Sequence, residues 1–143
     1  MGTRRTTIVS ACLVAVVALG LTACSSDDGG GAVTSFTVEA DSFSFDPDEV
    51  TVVADEDITV TVENVNDAVE HEWVIVKPGN EISSEADFDE EDVLFEVEAV
   101  ASGGSGSGTF NVPAGEYQII CALEGHFTAG MEGTMTAEAA SEG

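Results

Sequence analysis

The stretch Tyr117–Thr134 reads YQIICALEGHFTAGMEGT. Its opening, Tyr117 to Cys121, is an apolar, β-branched run of the kind that forms a buried strand, and it ends on a cysteine. His126 follows with four residues between, and Met131 after another four. Gly125 and Gly130 stand where so compact a loop must turn sharply, and Gly133 to Glu138 resumes a strand pattern. A thiol, an imidazole and a thioether therefore share one short loop between two strands. That donor set suits copper cycling between Cu(I) and Cu(II), with thiolate and imidazole binding strongly and the thioether weakly. Zinc favours four strong ligands, and methionine is a poor one. The competing reading makes Met131 core filler and His126 a surface residue.

Working outward from this loop, period-two patterning continues through most of the chain. Strands are expected at Ser35 to Glu39, Phe43 to Phe45, Glu49 to Val53, Ile58 to Val62, Glu72 to Val76, Val93 to Glu98 and Gly108 to Val112, besides the two that flank the loop. Turn residues separate them at Asp46-Pro47-Asp48, Asp55-Glu56-Asp57, Asn64 to Asp67, Pro78-Gly79-Asn80 and Pro113-Ala114-Gly115. Roughly eight short strands in one domain, residues 34–143, predict an all-β fold, a Greek-key β-sandwich. Glu81 to Asp92 (EISSEADFDEED) reads as an exposed acidic excursion with some helical turn. Ala101 to Gly108 (ASGGSGSG) reads as a flexible hairpin or crossover loop.

The chain has 2 histidines. The second, His71, opens the apolar segment Glu72 to Val76 directly after the Asn64 to Asp67 turn. A histidine at a strand edge is more often structural. With the C-terminal loop in view, His71 becomes the second imidazole of a metal site, since a β-sandwich can bring the end of one strand beside a loop between two others.

The N-terminus reads as an export signal. Arg4 and Arg5 precede an uncharged apolar stretch, Ile8 to Thr22, that is short for a membrane span and suited to a signal-peptide core. It ends at Leu21-Thr22-Ala23-Cys24, which resembles the lipobox of bacterial lipoproteins. The resemblance implies a lipoprotein signal peptide, 1–23, cut before Cys24, lipidation of that thiol, and anchoring at the outer face of the cytoplasmic membrane. An ordinary signal with an incidental cysteine is the alternative. Residues 24–33, rich in Gly, Ser and Asp, form a flexible tether. The export route stays open: the arginine pair fits a twin-arginine signal, but Thr7 stands where that pattern has a large apolar residue.

Of 3 cysteines in the chain, Cys12 leaves with the signal and Cys24 carries lipid, so Cys121 is the lone thiol of the folded domain. In an oxidising compartment, a metal is what would occupy it. The formal net charge is −25, with 28 acidic residues against 3 basic ones. Every acidic residue follows Cys24, where only Lys77 opposes them. Nucleic acid is excluded as a partner, because phosphate binding needs clustered Lys and Arg. The acidic surface serves either solubility in a salty habitat or the steering of a basic redox partner.

Three segments, FSFDPDEVTV, EHEWVIV and PAGEYQIICALEGHFTAGMEGTM, resemble a cupredoxin of the plastocyanin and azurin type, and the ligand loop is similar to that of the auracyanins. The resemblance spans Thr34 to Glu138. It implies one type 1 copper ion, with His71 and His126 binding through ring nitrogens, Cys121 as thiolate and Met131 axially. It implies a one-electron carrier and not an enzyme, exchanging electrons with a cytochrome, oxidase or reductase through an exposed edge of His126. Ala122, Leu123, Phe127 and Ala129 are candidate residues of the apolar patch around that edge, although Leu123 and Phe127 could equally face inward. Where the family often has Asn directly after its first histidine, tying two ligand loops together, Glu72 stands here, which leaves that bond open. The alternative function is cell-surface copper binding and delivery. Against it, one site consumes every histidine and cysteine beyond Cys24, leaving no exposed donor tract for handing metal on.

Overall fold

A computed structural model describes residues 31–142, so the expected signal peptide, Cys24 and most of the tether lie outside the described residues. Nine strands form two sheets: β1 (Ser35–Asp41), β2 (Ser44–Asp46), β3 (Glu49–Val53), β4 (Ile58–Asn64), β5 (His71–Val76), β6 (Val93–Val100), β7 (Ser105–Phe110), β8 (Gly115–Ile120) and β9 (Glu132–Glu138). One sheet has the order β2-β1-β4-β7 and the other β3-β9-β8-β5-β6. The pairs β1–β4 and β3–β9 are parallel and the rest antiparallel. The chain crosses repeatedly between the sheets, giving the all-β, Greek-key sandwich that the alternation predicts.

Alternation decides which side chains meet between the sheets. In β4, Ile58, Val60 and Val62 are buried while Thr59 and Glu63 face solvent, and β1 contributes Val38 and Ala40 beside them. Aromatic rings fill the centre. Trp73 meets Phe36, Phe95 and Phe110 at centroid separations of 5.8, 6.4 and 6.0 Å, and Phe95 lies 5.1 Å from Phe110, all within the range where edge and tilted contacts add to burial. Buried Tyr117 donates its hydroxyl proton to the Pro113 carbonyl at 2.7 Å, fixing the turn that enters β8.

Strand β5 is buried on both faces, which explains its unbroken apolar run Trp73-Val74-Ile75-Val76. Trp73 and Ile75 join the main core. Val74 and Val76 point the other way, into a second cluster with Ile82 and Ile120, covered by Phe88, Val93, Ala122 and Phe127. The acidic excursion thus lies over the outer face of the five-stranded sheet, with short 3-10 turns at Glu85–Asp87 and Glu90–Asp92.

Two local expectations change. Phe43 belongs to the two-residue turn between β1 and β2, not to a strand, and adopts φ 63°. The GSGSG run is not a flexible loop: Ser105 to Gly108 pairs with Val60 to Glu63 as part of β7. The serines face outward and the glycines inward, so the period of two was present but carried by residues of weak strand propensity. The glycines leave room for the opposite sheet. A Cβ at Gly106 would meet Val97 Cγ1 at 3.0 Å, and one at Gly108 would lie 2.6 Å from Phe95 Cζ. Because the Phe95 ring is held against Trp73 and Phe110, it has little room to retreat. Gly108→Ala is therefore expected to destabilise the domain by about 1–3 kcal/mol, the usual cost of overpacking. Ser107→Ala, one residue away and exposed, should cost much less in urea denaturation of the same protein.

Candidate metal centre

The four residues singled out in the sequence come from two places that the sheet brings together. β5 and β8 are antiparallel neighbours, with Val74 opposite Ile120. The start of β5, His71, therefore lies beside the end of β8, where Cys121 follows. The loop from Cys121 to Glu132 closes on itself through backbone bonds: His126 N–H to Leu123 O at 3.0 Å, Met131 N–H to His126 O at 3.0 Å, and Cys121 N–H to Met131 O at 3.2 Å. Gly125 and Gly130 take φ 85° and 103° within it, a conformation that costs other residues energy.

The nitrogens or sulfur of His71, Cys121 and His126 lie within 4.8 Å of one another, and all three residues are buried. The two Nδ1 atoms face each other at 3.3 Å, and Cys121 Sγ is 3.3 Å from His126 Nδ1. Met131 is fully buried, and its amide and carbonyl bind the two ligand-bearing turns. The chemistry of this cluster fits a metal ion. Burial, and next the charge of His126, push the His71 pKa down, which favours the neutral ring with a free lone pair. Burial pushes the Cys121 thiol up, with Glu72 and Glu85 adding to the rise. A thiolate here needs a cation to replace its proton. With Nδ1 turned to the cluster, His71 Nε2 is left buried without a hydrogen-bond partner.

One bond between the ligand segments comes from the backbone: the Glu72 amide donates to Cys121 Sγ at 3.4 Å. Asn64 and Asn66 fix the segment leading to His71. Asn64 Nδ2 donates to the Val69 and Val100 carbonyls, both at 2.8 Å. Asn66 Oδ1 accepts from Ala68 N–H at 2.8 Å and Val69 N–H at 3.1 Å, and its Nδ2 donates to Ser42 Oγ at 2.8 Å. Both asparagines are buried. Sequence reading recognised them only as turn residues, since nothing in a single sequence shows which asparagine in a turn turns inward.

Around His126, Phe127 and Leu123 are half-buried and take the inward packing that the sequence left open. Phe127 and Ala122 pack inward on the second cluster, because the acidic excursion supplies Ile82 and Phe88 to receive them, and Leu123 packs on the main core. Ala129 is exposed. The ring that meets His126 is Phe43, 40 % exposed, edge-on with centroids 5.1 Å apart. A hollow lined by Ala68, Val69, Ala101, Ser102 and Leu123 opens beside His126.

This geometry agrees with comparison to known proteins. Residues 32–138 match the copper binding proteins of the plastocyanin/azurin family, and the chain belongs to that family. It is 30 % identical over 112 residues to auracyanin-B of Chloroflexus aurantiacus, covering 67 % of this chain and 48 % of the relative. The chain thus spans about half the length of the curated relative it matches. Among solved structures, dithionite-reduced auracyanin from Roseiflexus castenholzii superposes with a TM-score of 0.66 at 28 % identity, covering 76 % of this chain and 99 % of that one. Auracyanin A from Chloroflexus aurantiacus, a "blue" copper protein, gives 0.59 at 25 % identity, covering 73 % and 99 %. Copper is accordingly the cofactor this cluster is built to hold. Cys121→Ser should abolish the intense visible band expected of the copper-loaded protein, while Met131→Leu should keep the band and raise the reduction potential, a weak axial donor having gone. Absorption spectroscopy and redox titration read the two outcomes.

Proposed function

We propose that this protein is a type 1 copper, one-electron carrier held at the outer face of the cytoplasmic membrane by lipid on Cys24. His71 and His126 would hold copper through Nδ1, Cys121 through its thiolate and Met131 through its weakly donating thioether. The observation that carries the reading is the convergence of His71, Cys121 and His126 within 4.8 Å in buried surroundings. Membership of a copper-binding family and likeness to a "blue" copper protein support it.

Copper supplies the redox couple. The chain supplies rigidity, because fast electron transfer requires that the donors move little between oxidation states. His71 opens β5 and Cys121 directly follows its neighbour β8, while His126 and Met131 sit on a loop closed by its own amides. The Glu72 amide stabilises negative charge on sulfur by donating to it. His126 lies nearest the surface of the three, 9 % exposed against 0 % for His71 and Cys121, so it is the exit for the electron, past the edge of Phe43.

Partners are redox proteins with a basic docking surface, steered by acidic side chains around the site. Glu72, Glu90, Glu96, Glu98 and Glu124 line one hollow that runs along β6 and reaches Ala122 and Leu123 of the ligand loop. Their mutual repulsion is felt at Glu72, whose pKa is pushed up by burial and then by Glu96, Glu70, Glu98 and Glu90. Stopped-flow reduction by a basic cytochrome should slow steeply with rising salt, since such attraction is screened beyond about 10 Å at 0.1 M. Neutralising Glu72 and Glu124 together should flatten that salt slope more than neutralising Asp87 and Asp89. Equal, weak slopes throughout would remove steering and leave the apolar surface near His126 as the docking contact.

The anchor has its own test. Cys24→Ala should leave the exported protein unprocessed or release it from membranes, while wild type partitions with them and carries lipid mass on its N-terminal peptide. Identical partitioning and processing of the two, with no lipid mass, would refute the lipid anchor.

A further inference from the structure

The acidic excursion is fastened at Ile82 and again at Glu85, and the second contact reaches the ligand loop. Ile82 N–H donates to Gln118 Oε1 and Gln118 Nε2 donates back to Ile82 O, both at 2.9 Å, fastening the excursion to β8. Ile82 is buried against Val74, Val76 and Ile120. From this footing the chain enters the 3-10 turn Glu85–Asp87, and Glu85 Oε1 accepts the Thr128 amide at 3.0 Å.

Thr128 lies between His126 and Met131. Within that loop the amides of His126, Ala129, Gly130 and Met131 all donate to loop carbonyls. The Thr128 amide instead leaves the loop for a carboxylate on a different element, some forty positions away in sequence. The bond is charge-assisted and lies at the exposed surface of the loop. The Thr128 amide holds the Glu85 carboxyl below the usual carboxylate range, against partial loss of hydration, and the positive form of His126 acts in the same direction. The space between excursion and loop is lined by Ile82, Glu85, Phe88, Cys121, Ala122 and Phe127.

We propose that Glu85 is a positioning residue for the metal centre, its carboxylate clamping the Thr128 amide so that His126 and Met131 are presented in a fixed relation. The inference rests on the ligand set proposed above, and it makes the acidic excursion a strap across the ligand loop, with its first turn serving the copper and not the solvent. Two effects combine at Glu85: an acceptor that holds the loop, and a negative charge near the ligands. Glu85→Gln keeps the acceptor and removes the charge. Glu85→Asp keeps the charge on a side chain one methylene shorter, drawing the carboxylate back from Thr128.

The experiment uses the full chain with these two variants and Glu85→Ala. Hydrogen exchange at the Thr128 amide is read in the metal-free protein. Visible and electron-spin resonance spectra, and copper loss to an added chelator, are read after Cu(II) loading. In Glu85→Ala and Glu85→Asp, Thr128 exchange should accelerate about tenfold or more, the loss of one hydrogen bond to a charged acceptor. Copper loss should accelerate with it and the Cu(II) spectra should shift. Glu85→Gln should return all three toward wild type while raising the reduction potential, a negative charge having been removed. Should Glu85→Ala fail to fold, Glu85→Asp carries the comparison. Wild-type exchange at Thr128 in the shortened variants, or wild-type spectra and copper loss in them, overturns the proposal. A wild-type protein that takes up Cu(II) without a visible band overturns the ligand set instead, and Thr128 exchange, read without metal, still decides whether Glu85 holds the loop.

Discussion

The 3.4 Å contact from the Glu72 amide to Cys121 Sγ ties together the two strands on which the rest of the metal end depends. It exists because β5 and β8 are adjacent and antiparallel, which sets the first residue of one beside the last of the other. Everything else at that end adjusts to this pairing. The turn before β5 must deliver His71 in register, and two buried asparagines hold it there. The loop after Cys121 must return with a second imidazole and a thioether, and its own amides close it. A thiol buried this deeply holds its proton more tightly than usual, so a metal that binds the thiolate must displace that proton, and its affinity falls as pH falls.

The sequence was most informative where chemistry and periodicity coincided. Cys121, His126 and Met131 could be read from spacing because the donor types are rare in this chain and the loop is local. His71 could be paired with them because only one other histidine exists, and the structure brings its ring to 3.3 Å from that of His126. Strand alternation in β1, β4 and β9 was equally clear. Composition misleads at β7, where glycine reads as flexibility although its role is to admit Phe95 and two valines from the facing sheet. It misleads again at Phe43, a residue of high strand propensity that the hairpin places in its turn. Long-range contacts stayed hidden for a simple reason. Asn66 reaching Ser42, or Glu85 reaching Thr128, depends on how two loops meet in space, and no local pattern encodes that meeting.

Charge is organised at two scales. Across the molecule the acidic excess is diffuse, and most single carboxylates are solvated. Around the copper ligands a few have particular neighbours: Glu72 is crowded by other carboxylates, whereas Glu85 is met by an amide. Negative charge beside a cationic centre favours its higher oxidation state, and the same charge raises the thiol pKa in the absence of metal. One set of side chains thus opposes the empty thiolate and favours the filled site.

Phe43 illustrates a tension between backbone and function. An aromatic residue at φ 63° occupies a region where Gly or Asn would be at ease, and the difference amounts to about 1–2 kcal/mol. A hairpin shaped for stability alone would place glycine there and leave the imidazole edge of His126 bare. What the chain has instead is an aromatic shutter, 40 % exposed, between a buried redox centre and whatever approaches it. On the proposed electron exit through His126, a partner would meet the exposed Phe43 ring beside the histidine edge, so shape and dispersion at that ring would add to whatever contact the histidine itself makes.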